Sequence, residues 1–197
     1  LKVRIRIVDC VGYTVQGARG YEDETGPRMV HTPWSDIPMP FQEAAEIGTQ
    51  KVIADHSTLG VVVTTDGSIT DIPRANFEAA EQRVIEELKS LGKPFVVVLN
   101  SKQPDDPDAL ELAQRLQEQY GVPVMALDVS VLDSLGIMRI LEEALFEFPV
   151  ADVQIKHPKW IDALPESHWL RTDMEDAIAE IVEPIVRLRD IDGAIDK

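Results

Sequence analysis

The sequence predicts an open α/β domain built on a mostly parallel sheet, followed by a shorter second unit. Three observations lead there. Short β-branched apolar runs ending in polar clusters recur at residues 3–9, 59–65 and 94–100, with a weaker run at 122–129. Such continuous runs suit strands covered on both faces. Helical patterns alternate with them, which implies right-handed crossovers and parallel pairing. After Pro149 the rhythm changes, placing a boundary between residues 1–149 and 150–197.

Taken in order, the first run, Ile7-Val8-Asp9, opens into a long polar segment, 12–40, that is rich in glycine and proline. A connection of that length inside a compact domain is usually functional or mobile. The 59–65 run is followed by a helical pattern over 74–91, with Phe77, Ala80, Val84, Ile85 and Leu88 on one face. Gly92 and Pro94 stop it. A second helix is predicted over 107–120, carrying Leu110, Ala113 and Leu116 and closed by Gly121 and Pro123. A third runs from 134 or 135 to 146, and an amphipathic helix follows from about 172 to 188.

The chain has 197 residues, 44% hydrophobic and 27% charged, enough to bury a core. Thirty-five acids against nineteen bases give a formal charge of -16, which argues against nucleic acid or an anionic membrane surface as partner. No stretch reaches the roughly 20 apolar residues of a bilayer span, so no transmembrane segment is expected and the cytoplasm is the default compartment. A single cysteine, Cys10, makes no internal disulfide and reads as a small packed residue. The four histidines are scattered, so no structural metal site is expected. Leu1 is not a methionine and the chain opens within a strand pattern, so it reads as a cut or partial chain.

The sharpest chemical signal is Ile7-Val8-Asp9-Cys10-Val11-Gly12, an apolar run delivering an aspartate with a glycine three residues on. In phosphate-loop nucleotidases such an aspartate holds Mg²⁺, usually through water, and the glycine amide meets the γ-phosphate. Alone, the string is more often that of an ordinary turn. Downstream, Leu99-Asn100-Ser101-Lys102-Gln103 stands where GTPases carry their base-recognition asparagine, lysine and aspartate. Asn100 is retained, but Ser101 replaces the lysine and Gln103 the aspartate that reads guanine. The run at 59–65 ends in Thr64-Thr65-Asp66-Gly67-Ser68, whose polar groups either line a nucleotide cleft or satisfy a turn. Asp128 and Ser130 end the fourth run, in the place of a base-contacting loop. His31 and Trp34 lie in the long loop, where a tryptophan anchored on the domain surface is the plainer expectation.

Several blocks together resemble the stage IV sporulation protein A family of spore-coat ATPases. They include Ile7-Val8-Asp9-Cys10-Val11-Gly12-Tyr13, Thr32-Pro33-Trp34, Ala44-Ala45-Glu46-Ile47-Gly48-Thr49, Thr64-Thr65-Asp66-Gly67-Ser68 and Phe146-Glu147-Phe148-Pro149. Others follow at Pro158-Lys159-Trp160 and His168-Trp169-Leu170, so the likeness runs over nearly the whole chain. The resemblance implies a three-layer, GTPase-like P-loop NTPase domain over 1–149, here without its first strands and P-loop, and the start of a second α/β domain over 150–197. It implies ATP and Mg²⁺ as cofactors, with Asp9 as the Walker B aspartate and Gly12 beside it as catalytic groups. Asn100, Ser101, Thr65, Asp66, Asp128 and Ser130 are the expected nucleotide-side residues.

The family further implies polymerisation on ATP hydrolysis around the forespore, on the mother-cell side of its outer membrane. The implied partners are other copies of the protein, coat proteins and a small amphipathic membrane-anchoring peptide. The phosphate-binding loop would precede Leu1, so this piece is expected to bind nucleotide poorly and to be inactive by itself. The alternative is a non-catalytic interaction module of a spore-coat scaffold. Asp9, Asn100 and Thr65 or Asp66 are expected along one edge of the sheet, and segment 12–40 is expected to report nucleotide state.

Overall fold

The computed structural model describes residues 4–23 and 26–195, which divide into two compact units after Ala144. The first unit begins with extended chain. Residues 4–9 form no strand, although Ile5, Ile7 and Val8 carry the β-branched pattern, and all three are exposed. Val3 lies outside the described residues. The expectation of a strand ending at Asp9 is therefore corrected for the described part. A strand exists only where a neighbour closes its hydrogen-bond ladder, and neither edge of the sheet described below takes this segment.

Segment 12–40 contains two small antiparallel ladders. In the first, β1 (Glu22–Asp23) pairs with β2 (Gly26–Pro27); in the second, β3 (Met29–Thr32) pairs with β4 (Ser35–Pro40). Pro40 leads directly into α1 (Phe41–Lys51), continued by a π-helical turn at Val52–His56. The buried residues of α1 are Ala44, Ala45 and Thr49, small side chains that let it lie close to its neighbours. Trp34 sits over the backbone of Gly48, where a Cβ would lie 3.7 Å from the indole ring.

The main sheet is parallel, ordered β5 (Gly60–Thr65), β6 (Phe95–Asn100), β7 (Val124–Leu127). Between these strands lie α2 (Glu78–Ser90), preceded by a 3₁₀ turn at Arg74–Asn76, and α3 (Pro107–Tyr120). Local signals fix α3: Asp106 accepts from the Asp108 amide at 3.0 Å, proline occupies its first turn, and Gly121 closes it at φ 65°. After β7 comes α4 (Ser134–Phe146), whose end passes the division between the units.

Strand alternation sorts the core into two layers. Val97 and Leu99 pack with Ile85 and Leu88 of α2 and Ala113 and Leu116 of α3. Val96 and Val98 face the other way, towards Met125 and towards Ile140 and Ala144 of α4. This is a three-layer α/β arrangement around β6, which is buried from Phe95 to Leu99 and partly open at Asn100. On the α4 side the cover stops at β6, and Val61 and Val63 of β5 remain exposed.

The second unit holds α5 (Trp169–Val182) and α6 (Asp190–Ile195). The predicted 172–188 helix starts earlier, where His168 Nδ1 accepts from the Leu170 amide, and ends earlier, because Pro184 cannot continue it. Pro149 and Arg187 form an isolated antiparallel bridge, flanked by the Leu188 amide donating to the Phe148 carbonyl at 3.0 Å. Beneath it, the nearly buried Glu147 pairs with Arg187 at 2.6 Å and with Arg189.

Candidate functional site

Parallel register sets the geometry of the strand ends. Thr65 is paired with Asn100, and Asn100 with Leu127, so the three strands finish in one row at the carboxyl edge of the sheet. Ligands of open α/β sheets bind beyond such edges. Asp66, Ser101 and Asp128 are the next residues along each chain, and Ser130 follows in a 3₁₀ turn. The structure thus brings together Thr65, Asp66, Asn100, Ser101, Asp128 and Ser130. Asp9 is outside this ladder, in the extended segment, and shares a cleft with Lys51, Val52 and His56 and none of the strand ends, which corrects the expectation that it lies along the same edge as Thr65 and Asn100.

The strand ends are cross-linked by polar contacts. Asp66 Oδ1 accepts from the Ser68 amide at 2.8 Å and hydroxyl at 2.6 Å, and Ser68 Oγ accepts from the Lys102 amide at 3.0 Å. Burial alone would raise the Asp66 carboxyl, but hydrogen bonds from Ser101, Ser68 and Thr65 outweigh it and hold the group below the usual carboxylate range. Asn100 Oδ1 accepts from the Val129 amide at 3.0 Å, tying the β6 end to the turn after β7. Asp128 Oδ1 accepts from the Ser130 amide and hydroxyl at 2.9 and 2.6 Å. These groups hold one rim in shape, and each already spends acceptor capacity on it.

A buried cluster braces this rim from below. Arg74 donates through both terminal nitrogens to Glu81 at 2.7 and 2.8 Å and also reaches Thr64 Oγ1 at 3.0 Å. The Tyr120 hydroxyl of α3 donates to Glu81 at 2.8 Å. Desolvation would raise the Glu81 carboxyl, yet the bonds from Arg74, Thr64 and Tyr120 outweigh it and lower the group. Tyr120 is pushed up by burial and by its bond to Glu81. The turn from Gly67 to Arg74 is tight: Gly67 has φ 93°, and a Cβ there would lie 3.0 Å from the Arg74 amide.

A second region gathers around Asp9. Asp9, Cys10, His31, Trp34, Lys51 and His56 are among the residues lining a cleft of about 640 Å³ between the extended segment, the β3–β4 hairpin and α1. Cys10 is exposed here, which corrects the expectation that it packs inside; the residues before it form no strand to bury it. Just beyond, the Gly12 amide donates to Thr49 Oγ1 at 3.0 Å. Tyr13 donates to Glu87 of α2 and lies under the Arg83 guanidinium, 4.0 Å from the ring centroid. Burial and then Glu87 push the Tyr13 hydroxyl up to about 12.

One carboxylate in an open cleft suits Mg²⁺, which keeps several of its waters. Among the described residues, no group of three or more His, Cys, Asp or Glu converges to form a full metal shell.

Sequence reasoning gave no role to Lys102, Arg74, Glu81 and Tyr120 at the rim, or to Thr49, Arg83 and Glu87 behind Gly12. The available signals were a charge at a core position of the 74–91 helix, Glu81, and a hydroxyl on the small-residue face of α1, Thr49.

The comparisons identify the relatives of this arrangement. The family model for the stage IV sporulation protein A ATPase domain matches residues 1–149, and the model for the middle domain of that protein matches residues 150–197. Stage IV sporulation protein A of Bacillus anthracis is 54% identical over 195 residues, and that of Bacillus subtilis (strain 168) 53%. The Clostridioides difficile (strain 630) protein is 44% identical over the same length. Each alignment covers 99% of this chain and 40% of the relative, so the chain spans well under half the length of those proteins. No solved structure is a significant match. The three-layer α/β fold accords with a P-loop-type ATPase domain, and the chain belongs to the stage IV sporulation protein A family.

Proposed function

We propose that this chain carries ATPase-domain sequence over 1–149, joined to middle-domain sequence over 150–197, of a protein that hydrolyses ATP to polymerise as a spore-coat scaffold. The observation that carries this reading is the row of strand ends Thr65, Asn100 and Leu127 in a chain whose relatives carry an ATPase domain. Asp9 is the group that would hold Mg²⁺ through water, and Gly12 the amide facing the terminal phosphate. Asn100, Ser101, Thr65, Asp66, Asp128 and Ser130 would form the rim on the nucleotide side, kept rigid by their mutual bonds.

When bound, Mg²⁺ supplies charge neutralisation on the phosphates. The role of this chain is to fix a carboxylate and an amide beside that charge. With Gln103 where GTPases carry an acidic residue, the rim lacks the acceptor that favours guanine, in keeping with ATP. The partners proposed are further copies of the protein, coat proteins and a membrane-anchoring peptide, on the mother-cell side of the forespore.

The test is Asp9→Ala in the complete parent protein. ATP turnover is expected to fall by roughly 100-fold or more, as when a single transition-state contact is lost, while the fold persists, because the Asp9 side chain is exposed. Unchanged turnover removes Asp9 from the site. A second reading, a non-catalytic scaffold module, draws on one observation. Gly12 N–H, Asp66 and Asn100 Oδ1 are already engaged inside the protein. Absence of ATP binding by the complete parent would favour it.

A further inference from the structure

Thr49 is a polar residue where α1 otherwise buries alanines, and it is 1% exposed. Its hydroxyl receives the amide of Gly12, 37 residues earlier in the chain, at 3.0 Å. Gly12 takes φ 83°, a conformation that side-chain-bearing residues rarely adopt, and a Cβ there would meet nothing within 4 Å. The glycine is thus demanded by the backbone turn that aims its N–H at Thr49, and not by crowding.

The residues that follow are held just as firmly. Tyr13 is bonded to Glu87 and covered by Arg83, which is itself paired with Glu46 of α1 at 2.9 Å. Glu46 stands three residues before Thr49 on α1, and Arg83 four before Glu87 on α2, so each pair shares a helix face. One turn further on, Asn76 Nδ2 donates to the Gln16 carbonyl at 2.9 Å. The segment after Asp9 is therefore fastened to two helices and a 3₁₀ turn, and the Thr49 bond is the fastening nearest to Asp9.

We propose that Thr49 is a positioning residue that acts as the resting acceptor for Gly12, so that a nucleotide's terminal phosphate must displace its hydroxyl to gain the Gly12 amide. This rests on the reading of Gly12 as the phosphate-facing amide. One N–H points along one direction, so the bond to Thr49 and a bond to a phosphate oxygen exclude each other. Because Thr49 lies on α1, the exchange removes the direct bond between that helix and the segment carrying Asp9 when nucleotide is loaded, leaving the link through Tyr13, Arg83 and Glu46.

The test compares Thr49→Val, which keeps the shape and removes the hydroxyl, with Thr49→Ser, which retains it, in the complete parent protein. Without nucleotide, Thr49→Val should lower hydrogen-exchange protection of the Gly12 amide, and Thr49→Ser should restore it. ATP should bind Thr49→Val about 2- to 10-fold more tightly, the worth of one net hydrogen bond no longer broken on binding. Tyr13→Phe keeps the ring under Arg83 but loses the Glu87 bond, and should shift affinity in the same direction should Thr49→Val fold poorly. Unchanged Gly12 protection in Thr49→Val, or ATP affinity that is unchanged or weaker while Thr49→Ser behaves identically, overturns the proposal. A wild-type parent that binds no ATP overturns the nucleotide reading as well, which separates the two failures.

Discussion

Replacing Arg74 with alanine should destabilise the chain more than any other single change at the rim. The substitution removes two hydrogen bonds to Glu81 and one to Thr64, and leaves the Glu81 side chain, 2% exposed, with only the neutral hydroxyls of Thr64 and Tyr120 as partners among those described. Removing one partner of a buried ion pair costs about 3–5 kcal/mol, because the surviving charge stays desolvated. Tyr120→Phe removes one bond to a charged acceptor and should cost about 1.5–3 kcal/mol. Replacing both charges, as in Arg74→Met with Glu81→Leu, should recover most of the loss, since no charge is then stranded.

Urea denaturation of the 197-residue chain, with the slope checked between variants, measures all three. The pH dependence gives the sign. Glu81 is held below its ordinary range in the folded chain, so its contribution is present above the unfolded pKa and is lost as pH falls through the folded one. In Arg74→Ala, burial no longer opposed by the guanidinium raises that carboxyl, and protonation then relieves the stranded charge. The gap between wild type and Arg74→Ala should therefore narrow as the pH is lowered from 7 towards 4. A gap below about 1 kcal/mol at pH 7, or one that does not change with pH, refutes the brace.

Further outcomes are expected elsewhere. Leu99→Ala, at a side chain with no exposure, should cost about 2–5 kcal/mol by leaving a cavity between the sheet and the α2–α3 layer, read from the same urea curves. Gly67→Ala should cost about 1–3 kcal/mol, because alanine disfavours φ 93° and its Cβ would press on the Arg74 amide; thermal unfolding at equal pH checks it. Glu147→Ala removes the carboxylate that pairs with both Arg187 and Arg189 in the second unit, and faster amide exchange at Leu188 and Arg189, relative to the β6 amides, is the expected signature.

The sequence alone determined the elements that carry their own punctuation. The 60–65 and 95–100 strands are β-branched runs bounded by polar ends, and α3 is marked by Asp106, Pro107 and Gly121, so local chemistry names both their type and their limits. The row of strand ends followed, because parallel strands in alternation with helices must finish at one edge. The family blocks were equally legible, being read from residue identity without geometry.

Only the tertiary structure decided the rest. Residues 4–9 have strand propensity but no paired neighbour, and propensity without a ladder leaves extended chain. α1 escaped notice because it buries Ala44, Ala45 and Thr49 instead of a stripe of large apolar residues, so its period is faint. The pairings of Gly12 with Thr49, Tyr13 with Arg83, and Glu81 with Arg74 and Tyr120 join residues 7 to 70 positions apart. Such contacts have no sequence period, since they are fixed by which helix faces the packed core brings together.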